Sequence, residues 1–528
     1  MYKLFLCWRY LLTRYIALAS IVSVMLGVAT MIVVNAIMLG FTSEMKDRLH
    51  GILADVIFQT YDMHKGFPDY EWHRAEIFRV AGDLIEELTP TVVTRGVLIY
   101  QADGIGTPVT FEVDVVGVDV LTQGRVSRIA EYLQHPANRD RLSFDLREGG
   151  YDIRGSGSGR SSERDGPIRE QMRHAGWEHR RFRAAQLRWQ RELQAQQNPP
   201  APVPLFQDEE GGGPVDPFAV LPPRADIPLF DPATAQHTGI IIGIGAALWR
   251  RTNEPCPETG RTVVKDDLNI IPGDDVTLFF PTADIPIRFQ SDRFTVIDIY
   301  ESKMVDYDRR LVFVPIDRLQ HLRGMFDADS GTFTITQILI KAKPGVNINV
   351  LRDRLRDAFP SQWYNIRTWR DDQEMMLNAI HVELAMLNVL LFLIFMVAGF
   401  GILAIFYMIV VEKQKDIGIL KALGAGGGGI MQIFLYYSLL LGIFGATLGL
   451  GLGLLMVHYI REIAIALSFI LQREVFSPEM YSFYEIPTIV DTWTVIYIIV
   501  GAIFIAVSAG VLPAIRAARV HPVETLRS

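Results

Sequence analysis

The chain has 528 residues, a formal net charge of −8 and a hydrophobic content of 49%, ordinary for a folded protein and long enough for several domains. The acidic balance gives no reason to expect a nucleic-acid partner, and two cysteines are too few for a disulfide-stapled scaffold. The apolar residues are gathered rather than spread: segments 15–41, 384–411, 430–460 and 492–515 contain no Asp, Glu, Lys or Arg. Each exceeds the roughly 20 residues a helix needs to cross about 30 Å of hydrocarbon. The predicted fold class is therefore an α-helical membrane protein with four transmembrane helices and a large α/β (α+β) domain inserted between the first and second.

Residues 1–53 read as an N-terminal tail, a first span and a stalk helix. The run 15–41 is too long for a signal-peptide core and lacks a small-x-small cleavage site near its end, so a retained anchor is expected. Beyond it, Met45, Leu49, Ile52 and Leu53 recur at helical spacing among charged residues and continue the helix. Residues 54–144 form the first part of the inserted domain. Its predicted elements are a helix over 72–88, strands over 92–100 and 110–118, and a helix over 126–132. His64 and His73 lie near Asp69 and Glu71, but their spacing specifies no metal, and they read as surface residues.

Residues 145–235 break the pattern. Gly155-Ser156-Gly157-Ser158-Gly159, an Arg/Gln-rich stretch over 169–197, Pro199-Pro200 and Gly211-Gly212-Gly213 cannot bury much apolar surface. The segment reads as a flexible insertion with one exposed helix over 168–197. Residues 236–372 resume the domain with strands over 275–280, 293–299, 310–314 and 334–340 and helices over 316–323 and 349–358. Pro272-Gly273-Asp274 and Pro344-Gly345 supply turns. Cys256 reads as a small buried residue and cannot pair with Cys7, which lies across the membrane.

Residues 373–411 are a second stalk and the second span, with Met376, Leu377, Ile380 and Leu384 on one stalk face. A short charged helix and a glycine-rich loop occupy 412–429, the third span 430–460, a loop 461–491, the fourth span 492–515 and a tail 516–528. Basic residues sit at Lys3, Arg9 and Arg14, at Lys413, Lys415 and Lys421, and at Arg516, Arg519 and Arg527. The loop after the third span has only Arg461 and Arg473 against Glu462, Glu474, Glu479, Glu485 and Asp491. The positive-inside rule then puts both termini and 412–428 in the cytoplasm and the large block 45–380 outside.

No catalytic or metal-binding constellation is present: no Walker A sequence, no H-E-x-x-H, no G-x-S-x-G and no paired-cysteine metal pattern. The run 424–429 satisfies G-x-G-x-x-G only because five of its six residues are glycine, and it follows a helix rather than a strand. The chain is not expected to be an enzyme. The spans lack the ionisable groups of an ion-coupled transporter, and the polar Asn35 and His458 lie near span ends. In the third span Gly445, Gly449 and Gly453 form two overlapping G-x-x-x-G patterns, which suit close helix packing. Packing within this chain and self-association between subunits are both open.

The segment 412–424 has Glu412, Lys413, Lys415 and Asp416 at its start and Lys421 further on. Ile417, Leu420 and Leu423 offer an apolar edge, and Gly424 ends the helix. Its mixed charge suits a protein groove better than anionic lipid.

This segment and the glycine-rich span after it resemble the permease domain shared by the FtsX, MacB and LolC/LolE proteins. Leu512-Pro513-Ala514-Ile515-Arg516-Ala517-Ala518-Arg519-Val520-His521-Pro522-Val523-Glu524 is similar to that family's ending. Trp8-Arg9-Tyr10-Leu11, Gly40-Phe41, Val116-Gly117-Val118-Asp119 and Pro272-Gly273-Asp274-Asp275-Val276 extend the likeness toward lipoprotein-releasing permeases. The resemblance implies a permease subunit of a mechanotransmission-type ABC transporter in the bacterial inner membrane. It would pair with a second permease subunit, as homodimer or heterodimer, and with a cytoplasmic ATPase dimer that binds ATP and Mg; this chain binds no cofactor itself. Glu412, Lys413, Lys415, Asp416, Ile417, Leu420, Lys421 and Gly424 would form the coupling helix. Met31, Ile32, Asn35, Phe392, Phe395 and Met396 would contact the acyl chains of a lipoprotein passed to a periplasmic carrier. A MacB-like efflux permease and an FtsX-like regulator of a cell-wall hydrolase are the alternatives. Two departures stand out: Gly426 to Gly429 replace small polar and basic residues, which implies a looser loop, and the turn 281–292 is short for a carrier-recruiting loop.

Overall fold

The structure, a computed structural model, describes residues 15–52, 54–101, 108–151, 170–197, 230–255, 262–302, 304–471 and 486–519. Cys7, the Trp8 to Leu11 motif, Cys256, Arg473 and the tail from Val520 lie outside the described residues. The chain divides into two compact units, one of Met1–Asp47 with Gln373–Ser528, the other Arg48–Asp372.

In chain order the elements are α1 (Tyr15–Ile52), β1 (Val56–Thr60), α2 (Tyr70–Ala81), β2 (Ile85–Tyr100), β3 (Val109–Val118), α3 (Trp177–Gln197) and β4 (Thr238–Gly243). There follow β5 (Leu248–Pro255), β6 (Thr262–Leu268), β7 (Asp275–Pro281), β8 (Phe289–Tyr300), β9 (Leu311–Pro315), α4 (Ile316–Arg323), β10 (Phe326–Asp327), β11 (Thr332–Phe333), β12 (Gln337–Ala342), α5 (Ile348–Ala358) and β13 (Tyr364–Thr368). The last are α6 (Glu374–Glu412), α7 (Gln414–Ala422), α8 (Gly427–His458), α9 (Ile460–Leu471) and α10 (Thr492–Arg519).

The unit between the first and second long helices is a mixed α/β domain. Its main sheet runs β13-β1-β12-β2-β3-β9-β4-β8-β7, and β2 also pairs with β7. The second pairing closes six strands into a barrel and leaves β12, β1 and β13 as an open wing. The long strand β2 serves both: Leu88 and Thr89 face β12 at Ile340 and Leu339, while Val97 to Ile99 pair with Phe279 to Thr277 of β7. Most pairs are antiparallel, but β3–β9 and β4–β8 are parallel. One core of buried side chains, including Leu88, Leu98, Val113, Ile240, Val296 and Val312, fills the barrel and continues under the wing.

The expected helix over 72–88 is shorter than its sequence pattern. It ends at Ala81, with the Gly82 amide bonded to the Phe78 carbonyl, and Ile85 already belongs to β2. Pro90 lies in this stretch, and proline is uncommon inside a sheet strand. It sits opposite Ile338 in the sheet, so long-range pairing overrides the local signal. The helix expected over 126–132 is a short α-turn, Gln123–Val126, and a 3-10 turn, Arg128–Tyr132. His73 is not a surface residue. It is 4% exposed, with Nδ1 3.0 Å from the Asp69 carbonyl and Nε2 2.8 Å from the Tyr364 hydroxyl, and burial lowers its pKa.

The described parts of 145–235 pack onto the barrel. The Tyr151 hydroxyl donates to the Ile297 carbonyl at 2.7 Å, and Met172 and Ala175 join the core. The predicted helix is present as α3. Its first turns are pinned to the Pro272-Gly273-Asp274-Asp275 turn: His179 Nε2 lies 2.8 Å from Asp274 Oδ1, and buried Arg180 donates to the Gly273 carbonyl and to Asp275 Oδ1 at 3.1 and 2.6 Å. Phe182 and Trp189 remain exposed on the other face.

Asp298 on β8 holds the neighbouring segment. Its carboxylate accepts from the amides of Gln134 and His135 and from Asn138 Nδ2 at 3.2, 3.3 and 2.8 Å. Complete burial nevertheless pushes its pKa up to about 6. Because this lies above the ordinary value of 3.8, the contribution to stability is complete below about 3.8 and is lost as pH rises through about 6. Acidification from pH 7.5 to 5 is therefore expected to stabilise the domain through this group, by about 1 to 1.5 kcal/mol. Thermal melts of wild type and Asp298→Asn across that range check it; an unchanged slope in the variant would remove Asp298 as the source.

The other unit contains four helices long and apolar enough to cross a membrane: Leu18–Asp47 within α1, then α6, α8 and α10. At 39 residues α6 measures about 58 Å, well beyond the hydrocarbon thickness. Residues Val24, Val28, Ile32 and Ala36 recur every fourth position along α1 and face the bundle core. Among the described residues the chain is a multi-pass membrane protein with four predicted spans. Helix α9, absent from the sequence reading, follows α8 after Tyr459; its 12 residues are too few to span.

Candidate functional site

Helix α7 lies between two spans and is bounded by backbone devices at both ends. Lys413 caps the end of α6 and the start of α7 in one residue: its amide donates to the Ile409 carbonyl, and its carbonyl accepts from Ile417 at 3.0 Å. Lys413 Nζ also pairs with Asp416 Oδ2 at 2.6 Å, one turn along. At the other end Gly424 has φ +93°, a left-handed conformation open to glycine. Its amide donates to the Lys421 carbonyl and the Ala425 amide to the Leu420 carbonyl, both at 3.0 Å, the Schellman pattern that satisfies the last carbonyls.

The apolar edge differs from the one read in sequence. Ile417 is 3% exposed and belongs, with Val410 and Ile430, to the bundle core. Gly418 is buried beside it. The outward stripe consists of Lys415, Asp416, Ile419, Leu420 and Leu423; Leu420 is 39% and Leu423 80% exposed. Glu412 is exposed at the end of α6. Helical spacing alone gives two apolar edges, and only the bundle decides which is covered. Lys421 turns inward, with Nζ 2.6 Å from the Ala518 carbonyl of α10.

The glycines after α7 do not form an open loop. Gly427 to Gly429 are the first turn of α8, with Gly426 as its extended cap. A Cβ on Gly427 would stand 3.1 Å from the Ala518 oxygen, whereas Gly426, Gly428 and Gly429 have nothing within 4 Å. Of the four, only Gly427 has a neighbour tight against its Cβ position.

Gly445, Gly449 and Gly453 all face α1. Cβ atoms there would meet Val24 at 2.6 Å, the Met25 carbonyl and Val28 at 2.7 Å, and Ile32 at 3.1 Å. Of the two open readings, packing within the chain is the one these contacts describe. The six candidate acyl contacts do not share one surface. Ile32 packs on Gly453 and Phe395 on Gly27, both buried. Asn35 Nδ2 donates to the Met31 carbonyl at 2.9 Å, satisfying its amide inside α1. Phe392 and Met396 point outward. Among the described residues no group of three or more His, Cys, Asp or Glu is placed to hold a metal.

Residues 388–522, from within α6 to past the end of α10, match the family described as FtsX-like permease C-terminal. Over these residues the chain is similar to the FtsX-like permease family. It is similar to the lipoprotein-releasing system transmembrane protein LolC of Neisseria meningitidis serogroup B, 26% identical over 260 residues, which cover 48% of this chain and 61% of that protein. It is also similar to the lipoprotein-releasing system transmembrane protein LolE of Haemophilus influenzae, 25% identical over 194 residues, 37% of this chain and 46% of that protein. The macrolide export ATP-binding/permease protein MacB of Neisseria meningitidis serogroup A is 24% identical over 251 residues, 46% of this chain and 34% of its own length. Each match spans less than two thirds of the relative. Over these spans the chain is thus similar to ABC transporter permeases of the FtsX type.

Proposed function

We propose that this permease is the transmembrane subunit of a mechanotransmission-type ABC transporter that extracts lipoproteins from the bacterial inner membrane for a periplasmic carrier. The observation that carries the reading is α7: a rigidly capped helix between two spans, with Ile419, Leu420 and Leu423 exposed beside Lys415 and Asp416. Such a face fits a protein groove. Its occupant would be a cytoplasmic ATPase dimer that holds ATP and Mg. The basic residues flanking the spans support cytoplasmic termini and a periplasmic α/β unit. Outward residues of α6, among them Phe392, Leu393 and Phe400, are available to lipid, an acyl chain or a second permease subunit.

The names of the LolC and LolE relatives support lipoproteins as cargo. A carrier surface is offered by the β7–β8 connection. Short as it is, it exposes Ile285, Ile287 and Phe289, the last at 78%. Isolated exposed apolar residues are common, but three within five positions form a small patch of the kind that protein partners cover. Depletion of the chain, followed by membrane fractionation and mass spectrometry, is expected to show acylated lipoproteins accumulating in the inner membrane. Complementation with the double variant Ile285→Asp, Phe289→Asp should leave the accumulation uncorrected. Unchanged lipoprotein distribution with raised macrolide sensitivity would replace the proposal with efflux; a cell-separation defect alone would replace it with hydrolase regulation.

A further inference from the structure

We infer that Lys421 is a positioning residue that ties α7 to the last turn of α10, so that movement of α7 passes to the fourth span through the Ala518 carbonyl. The transmission half rests on the reading of α7 as the ATPase-facing helix; the tie itself stands on geometry alone.

Lys421 lies on α7, the element whose other residues supply the outward stripe. Its ammonium is nevertheless directed into the protein, 2.6 Å from the Ala518 oxygen. Ala518 is the penultimate residue of α10, where carbonyls have run out of intrahelical donors. A lysine there satisfies one of them with a charged donor and sits favourably at the negative end of the helix dipole. The same oxygen is approached from α8: the Cβ position of Gly427 is 3.1 Å away. One carbonyl is thus gripped by the helix before Gly424 and crowded by the helix after it. A third contact joins the same turn to α6, where the Arg516 guanidinium lies 4.5 Å from the Tyr407 ring centre. Ala514 and Ala517 between these contacts are fully buried, so the turn is packed as well as tethered. The last turn of α10 therefore touches α6, α7 and α8 at one end of the bundle. A displacement of α7 beyond the reach of the Lys421 side chain either moves this turn or breaks the bond.

The arrangement sets Gly427 apart from the other glycines of the run, and it separates two lysines of one helix by role. Lys415 faces outward, where a partner would meet it, and Lys421 faces the bundle.

The test uses the full chain with Cys7 and Cys256 replaced by Ser and spin labels on Leu423→Cys and Arg519→Cys. Double electron–electron resonance should give one narrow distance distribution. Lys421→Met should broaden it or shift it by about 5 Å, roughly one helical turn. Lys421→Arg should restore it, Gly427→Val should disturb it, and Gly428→Ala should not. In complexes with the ABC ATPase that co-purifies, Lys421→Met should retain the ATPase while permease-dependent turnover falls about tenfold. A distance distribution unchanged in Lys421→Met overturns the tie. Loss of ATPase association with unchanged distances makes Lys421 a docking contact instead. If the unmodified chain brings down no ATPase, the coupling reading fails, and the label distances alone decide the tie.

Discussion

Replacing Leu420 with Asp is expected to abolish co-purification of the partner ATPase while leaving the permease folded. Leu420 is on the outward stripe of α7, beside Ile419 and Leu423, and makes no part of the bundle core. A carboxylate placed there stays in contact with water in the free chain but must be desolvated without a partner when the groove closes over it. Central apolar contacts of this kind contribute about 2–4 kcal/mol, so association should weaken by a factor on the order of 100. Ile417→Asp gives a different result for a different reason. Its side chain is in the core, and a buried carboxylate there should reduce the yield of folded chain by destabilising the bundle several kcal/mol. Pull-down combined with size-exclusion profiles separates the two. Normal ATPase recovery with Leu420→Asp would remove α7 as the docking helix.

The second large effect is expected at Gly449. A side chain there points at the Met25 carbonyl and Val28, with 2.7 Å available to its first carbon. Backbone cannot move aside as a flexible side-chain end can, so Gly449→Leu must push α1 away from α8. Interiors at close-packed density tolerate little of this, and a cost of about 3 kcal/mol is the low end. Gly451→Leu, two residues along the same helix, has nothing within 4 Å and should be nearly neutral. Heat-induced aggregation of the two variants in detergent measures the difference. Equal stability would show that α1 and α8 do not depend on this approach.

These two sites show how much was legible beforehand. The four spans were readable because about 20 uncharged residues in a row have no other stable home. The position of α7 was readable too: charge between two spans marks a helix end, and Gly424 marks its stop. Its working face was not. Ile417 and Leu420 are equivalent in a helical pattern, and the choice between them is made by Val410 and Ile430. The G-x-x-x-G series announced close packing but not its partner, because small residues permit approach by any helix. In the α/β unit, strands rich in β-branched residues were found, but β1, β4 and β13 were missed. So was the start of β2, which the sequence pattern assigned to the preceding helix.

What a stretch of chain does alone, such as crossing a membrane or ending a helix, depends on its own composition and was determined there. What depends on two distant stretches meeting was decided only by tertiary packing. That group includes closure of the barrel by β2 and β7, burial of Asp298, and the pinning of α3 by Arg180. It also includes the bond from Lys421 to a carbonyl 97 residues away. No local pattern encodes such a pairing, because its free energy belongs to the contact and not to either segment.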